Sequence, residues 1–144
     1  VVGDSQSSSQ IGDITKFSNI DLTTPTEYEI RLGLKDFSSG LVELGLQAIA
    51  QNISKNVIIT LNKEGILIQE GKEKFSTDKI AALSNVVRDP AGAGDCFLSA
   101  CSMSFALNKN LWISSYIGSL AAAIQIQKVG NVPIKKNEIL NSLK

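Results

Sequence analysis

Apolar positions along the chain follow two rhythms. Short continuous runs, Val1-Val2, Ile20 to Thr24 and Val57-Ile58-Ile59, suit strands of a parallel sheet covered on both faces. The strand at Asn56 to Asn62 turns through Lys63-Glu64-Gly65 into a second, Ile66 to Glu70, and Gly71-Lys72 turns again before Lys74-Phe75. Elsewhere the spacing is helical. Leu41, Leu44, Ala48 and Ile49 predict a helix over Ser38 to Asn52, with Ser38 and Ser39 as its start signals. Phe97, Ala100, Cys101 and Phe105 share one helical face. Trp112, Ile113, Tyr116, Ile117, Leu120 and Ile124 share another, from Leu111 to about Lys128, where Gly118, Ser119 and Ala121 to Ala123 leave a thin surface for close packing. Ile11 to Phe17 and Lys135 to Leu143 read as short amphipathic helices, and Thr24-Pro25-Thr26-Glu27 as a capped helix start. The alternation predicts an α/β fold.

Composition narrows the function more than the fold. At 144 residues, 43% apolar and 19% charged, the chain is the size of one domain with a real core. A net charge of zero leaves no footprint for nucleic acid or an anionic membrane. The absence of histidine removes His-based triads and the commonest metal ligand. Cys96 and Cys101 have no metal or redox spacing and read as buried free thiols in a reducing compartment, so the cytoplasm is expected. The most apolar stretch, Leu111 to Ile126, is too short and too marked by Ser and Gln to span a bilayer. Val1-Val2-Gly3-Asp4 reads as the end of a buried strand without an initiator Met, as expected for a piece of a longer protein.

The chemistry centres on Asp89-Pro90-Ala91-Gly92-Ala93-Gly94-Asp95-Cys96-Phe97. Val86-Val87 reads as a strand running into it, and a long helix runs out. Small residues let backbone N–H groups approach a ligand, and a helix N-terminus favours a phosphate. A carboxylate beside a phosphate is repulsive unless it has a task, and accepting a proton from an attacking hydroxyl is such a task. The alternative is a glycine-rich cap in which Asp95 supports the helix dipole. The polar loop Asp4 to Gln10 lies where α/β sheets bind ligands, or is a plain connector. Gly65 to Lys72 looks like a P-loop, but five residues separate its glycines and Glu73 stands in place of Ser or Thr.

Asp89, Gly92, Ala93, Gly94, Asp95 and Phe97 resemble the C-terminal signature of the PfkB (ribokinase-like) carbohydrate kinases, with Pro90 where Thr is usual. The resemblance implies a ribokinase-like three-layer sandwich, a mainly parallel sheet with helices on both faces. Residues 1–144 would be the C-terminal nucleotide-binding part of one such domain. It implies ATP-dependent phosphoryl transfer to a hydroxyl of a sugar or sugar phosphate, with Asp95 as general base and Gly92, Ala93, Gly94 and Asp95 as anion hole. Thr26 and Glu29 resemble the family's Asn-x-x-Glu motif, which makes Glu29 a candidate for positioning magnesium, beside the plain helix start already noted. Thr60 and Gly65 resemble a phosphate-approaching strand and turn in which Asn62 replaces the first glycine. A plain hairpin is the other reading. Ala123 and Gly130 match an alanine-rich helix ending in a glycine turn at the adenine end, and Gly130 also reads as a helix C-cap. Asp89 and the Lys128 to Gly130 backbone are candidates for a monovalent cation site. Pro90 and Val129-Gly130-Asn131 resemble the heptose-phosphate kinase branch. A half domain implies dimerisation or association with a missing N-terminal half. The rival from another class is a noncatalytic nucleotide-binding or scaffolding module, to which Pro90, Thr26 and Asn62 point. A Rossmann dehydrogenase is weaker still, for no Gly-x-Gly-x-x-Gly follows the first strand.

Overall fold

The computed structural model describes residues 1–4, 12–72, 76–130 and 132–143. The predicted loop Ser5 to Gln10, Ile11 and the Lys74-Phe75 segment lie outside the described residues. The chain divides into two units, Val1–Ile80 and Ala81–Lys144.

The first unit is a five-stranded sheet in chain order: β1 (Val2–Gly3), β2 (Leu22–Thr23), β3 (Asn56–Thr60), β4 (Ile66–Glu70) and β5 (Thr77–Ile80). β1, β2 and β3 pair in parallel, and the hairpin β3-β4 and then β5 continue antiparallel. β3 is buried on both faces, since Val57 and Ile59 alternate with Ile58 and all are fully covered. Ile30 of α1 (Glu27–Leu34) and Leu44 and Ala48 of α2 (Leu41–Ala50) join Val57, Ile59 and Leu67 in one core cluster.

α1 begins as predicted. Thr26 Oγ1 accepts the Glu29 amide at 3.2 Å and Glu29 Oε2 accepts the Thr26 amide at 2.8 Å, a reciprocal capping box. α2 starts later than predicted, with Gly40 as its cap. Ser38 and Ser39 are not its start. Their amides donate to Asp36 Oδ1 at 3.0 and 2.9 Å, because a short carboxylate offers the backbone a tighter turn than the helix does. Between Gly12 and Phe17 only the short 3₁₀ turn Ile14–Lys16 forms, capped by Asp13.

The second unit is helical: α3 (Ala93–Asn108), α4 (Leu111–Gln125) and α5 (Lys136–Ser142). α3 and α4 meet where Gly118 removes the obstacle: a Cβ there would stand 2.9 Å from Phe97 Cε2 and 3.0 Å from Cys101 Cβ. Asn110 Oδ1 caps α4 by accepting the Ile113 amide at 3.0 Å. Two expectations fail here. Val86-Val87 is not a strand: both side chains are exposed, and the Val86 amide donates to Ser84 Oγ at 3.2 Å, a local turn that competes with sheet pairing. Gly130 is not the C-cap of α4. The helix ends at Gln125 with Ile126 as cap, and Gly130 follows in its own turn at φ +79°. Among the described residues no helix is long and apolar enough to cross a membrane.

Candidate active site

The signature turn is assembled by Asp89. The Arg88 and Asp89 amides both donate to the Ile126 carbonyl, at 2.7 and 3.1 Å, which ties the segment to the end of α4. Asp89 Oδ1 then accepts the Ala91 amide at 2.9 Å, bending the chain across Pro90. Ala93 N–H closes a further turn onto the Pro90 carbonyl at 3.3 Å. That turn needs a positive φ at its third residue, and Gly92 supplies it with φ 75°, ψ 2°. Pro90 contributes what the turn needs of it, a carbonyl acceptor, and no amide.

Gly92 is also the N-cap of α3, so the helix starts on a left-handed residue. Cys96 N–H makes the first helical bond, to the Gly92 carbonyl at 2.9 Å. The amide of Gly94 falls in the first turn, where a helix offers its own donors no acceptor. A Cβ added at Gly94 meets nothing within 4 Å, so this face of the turn is open. Asp95 is exposed in the same turn, the one acidic residue there. An open, donor-rich helix start with one carboxylate beside it fits an anion whose chemistry involves a proton.

The neighbouring thiols are held in their protonated form. Burial pushes the Cys96 thiol up and the Asp95 charge adds to it, while burial pushes Cys101 up to about 12. Both are free cysteines, with Cys101 buried and Cys96 only half-buried.

Asp89 and Gly130 meet, as the resemblance implied. Asp89 Oδ2 accepts the Gly130 amide at 3.0 Å. Hydrogen bonds from the Ala91 and then the Gly130 amide hold the Asp89 carboxyl below its ordinary range. Ala123 is buried on α4, with its carbonyl accepting from Gln127 Nε2 at 3.0 Å. One residue that the pattern did not flag belongs here. Gln125, 1% exposed, donates from Nε2 to the Gly130 carbonyl at 3.1 Å. Its signal was an amide amid the alanines and isoleucines of the alanine-rich helix.

In the first unit, Glu29, Thr60 and Gly65 share the end of the sheet where β1, β2 and β3 finish. Thr60 forms a parallel bridge with Thr26, and its amide donates to the Pro25 carbonyl at 2.9 Å. Glu29 is buried, with Oε2 committed to the capping box. Gly65, at φ 95° and ψ −129°, adopts a backbone that only glycine holds without strain, and its carbonyl accepts the Leu61 amide at 2.8 Å. Asn62 sits at φ 52°, so the residue replacing glycine is one that tolerates the left-handed region. Among the described residues no three Cys, Asp or Glu side chains cluster as a ready-made metal cage.

Residues 2–137 match the profile of the pfkB family carbohydrate kinases. The ribokinase of Lactococcus lactis subsp. lactis is 32% identical over 120 residues, covering 82% of this chain and 36% of that protein. The bifunctional protein HldE of Pectobacterium atrosepticum is 26% identical over 135 residues, covering 92% and 28%. The solved ribokinase of Thermotoga maritima superposes with a TM-score of 0.83 at 24% identity, covering 99% of this chain and 48% of that one. The chain thus spans less than half the length of these relatives.

Proposed function

The chain belongs to the PfkB family of carbohydrate kinases and has the ribokinase-like α/β fold, and from that premise we propose that it is the nucleotide-binding part of a cytoplasmic sugar kinase. The reaction is transfer of the γ-phosphoryl group of ATP to a hydroxyl of a sugar or sugar phosphate. The acceptor oxygen bonds to the γ-phosphorus, the bond to the bridging oxygen of ADP breaks, and the hydroxyl proton passes to the Asp95 carboxylate. The Gly92 to Asp95 turn serves as the anion hole for the phosphoryl oxygens, where charge is greatest in the transition state, with the Ala93 amide turned there only by giving up the Pro90 carbonyl. The family resemblance assigns Thr60 and Gly65 of the first unit to the phosphates, and the Ala123 and Gly130 backbone of the second to the adenine end. Magnesium would enter with the nucleotide and offset phosphate charge, and a metal held largely by its substrate needs no all-protein cage. Glu29 would be the residue to hold its water. The ionised Asp89 carboxylate and the carbonyls of Lys128 to Gly130 are an oxygen-rich donor set suited to a monovalent cation. The resemblance of Pro90 and Val129-Gly130-Asn131 to the heptose-phosphate kinase branch makes a heptose phosphate the first acceptor to try. The working protein is a homodimer or includes the N-terminal half of the domain.

The observation that carries this reading is the left-handed Gly92 at the start of α3, with an open Gly94 and an exposed Asp95 in the turn it launches. In the full-length protein, magnesium-ATP binding by calorimetry is expected to survive Asp95→Ala and to vanish with Gly94→Val. Asp95→Asn is expected to lower kcat by about a hundredfold or more, the range of a lost general base, with little change in nucleotide affinity. Near-normal turnover in Asp95→Asn would sink the assignment. Nucleotide binding without turnover on any sugar would instead mark a noncatalytic module.

A further inference from the structure

The amide side chain of Gln125 has no role in packing that an apolar group would not fill better. It is 1% exposed, on a helix whose neighbouring buried residues are Leu120, Ala121 and Ala123. Burying an amide is unfavourable unless its hydrogen bonds are made. One is made, from Nε2 to the Gly130 carbonyl, and among the described residues Oε1 has no partner.

That single bond falls on an informative residue. Gly130 is exposed and left-handed, and its N–H is held on the other side by Asp89 Oδ2. Both polar groups of one backbone residue are therefore gripped, by a side chain of α4 and by the first residue of the signature. Asp89 in turn holds the Ala91 amide, and Gly92 with the start of α3 comes next. The same turn is tied from outside by Lys128, whose Nζ lies 2.9 Å from Glu138 of α5.

We propose that Gln125 is a positioning residue for nucleotide binding, acting through Gly130 and Asp89 on the anion-binding turn. It touches neither the nucleotide nor the acceptor. Its amide holds the peptide that follows Gly130, Asp89 holds the peptide that precedes it, and the two grips together fix the left-handed Gly130 and, through it, the carboxylate that shapes the turn. The inference rests on the kinase reading above.

The test uses the full-length protein with Gln125→Leu, and Gln125→Met as a second variant of similar volume. Melting temperature, calorimetric affinity for magnesium-ATP, kcat and the KM of each substrate are measured together. Losing one hydrogen bond to the turn is expected to raise Kd and KM for magnesium-ATP about fivefold. The melting temperature should not fall, because an Oε1 that has no partner among the described residues is removed with the bond. The sugar KM should stay unchanged, and any fall in kcat should be no larger than the loss of nucleotide affinity, since the same turn carries the anion hole. A fall in melting temperature with unchanged nucleotide affinity, in whichever variant folds, would overturn the role and leave a structural amide. Unchanged affinity and unchanged stability would overturn it equally. A wild-type protein that neither binds magnesium-ATP nor turns over would overturn the kinase reading itself, and this inference with it.

Discussion

Two glycines of the signature are required for opposite reasons. Gly92 is required by the backbone, because its φ of 75° costs an L-residue about 1–2 kcal/mol. Gly94 is not required by its packing: among the described residues nothing stands within 4 Å of its Cβ position. Gly92→Ala should therefore lower the melting temperature by several degrees, while Gly94→Ala, a better helix former, should leave it equal or raised. Nucleotide affinity should fall in both, and a Gly94→Ala protein that binds as tightly as wild type would mean no phosphate approaches this face. Asp89 gives a pH prediction. Amides of Ala91 and Gly130 favour its ionised form, so its folded pKa lies below the ordinary 3.8. The turn's two carboxylate bonds are then fully present above 3.8 and are lost as pH falls through the depressed value. The amide resonances of Ala91 and Gly130 should titrate with a midpoint under 3.8, and Asp89→Asn should abolish that titration. A midpoint at or above 3.8 contradicts the geometry.

At the scale of elements, what the sequence revealed depended on whether the signal was local. α3 and α4 were legible because apolar spacing and the thin surface around Gly118 both point to helices in close contact. The start of α1 was legible because a capping threonine is followed by acidic residues, and the reciprocal bond from Glu29 is what the structure adds. Val86-Val87 misled because two valines say strand only if a partner strand exists, and a serine two residues earlier supplied a local acceptor instead. Ser38 and Ser39 misled because Asp36 bound their amides first. Gln125 was missed because its meaning lies in a turn five residues on, and periodicity shows only which face a residue takes. The α3–α4 contact carries its own prediction. Gly118→Ala would put a methyl 2.9 Å from the Phe97 ring and 3.0 Å from Cys101 Cβ, both on buried side chains that cannot swing away. Overpacking of this kind costs about 1–3 kcal/mol. Thermal unfolding should show the loss.

At the scale of the molecule, the family was legible because its signature is contiguous: six matching residues within nine carry the turn, the cap and the carboxylate together. The acceptor was not legible, since the chain spans 36% of a ribokinase relative and 28% of an HldE relative. Partial coverage has a physical consequence. On α3, Met103 and Leu107 are four apart and 64% and 89% exposed, so they share an unpartnered face, and Ile113 and Tyr116 of α4 are also exposed. Exposed apolar groups that cluster mark surfaces meant to be covered. The isolated 144-residue chain should therefore self-associate in sedimentation experiments as its concentration rises. It should also bind a dye such as ANS and show no sugar-dependent ATP turnover. The longer protein should be dye-silent and active. Met103→Lys with Leu107→Lys should keep the isolated chain monomeric without lowering its melting temperature, because neither side chain is buried. An isolated wild-type chain that stays monomeric and dark would mean these residues tolerate water and need no cover. Turnover by that chain alone would mean the acceptor site lies within these residues, and the expected association with an N-terminal half would lose its support.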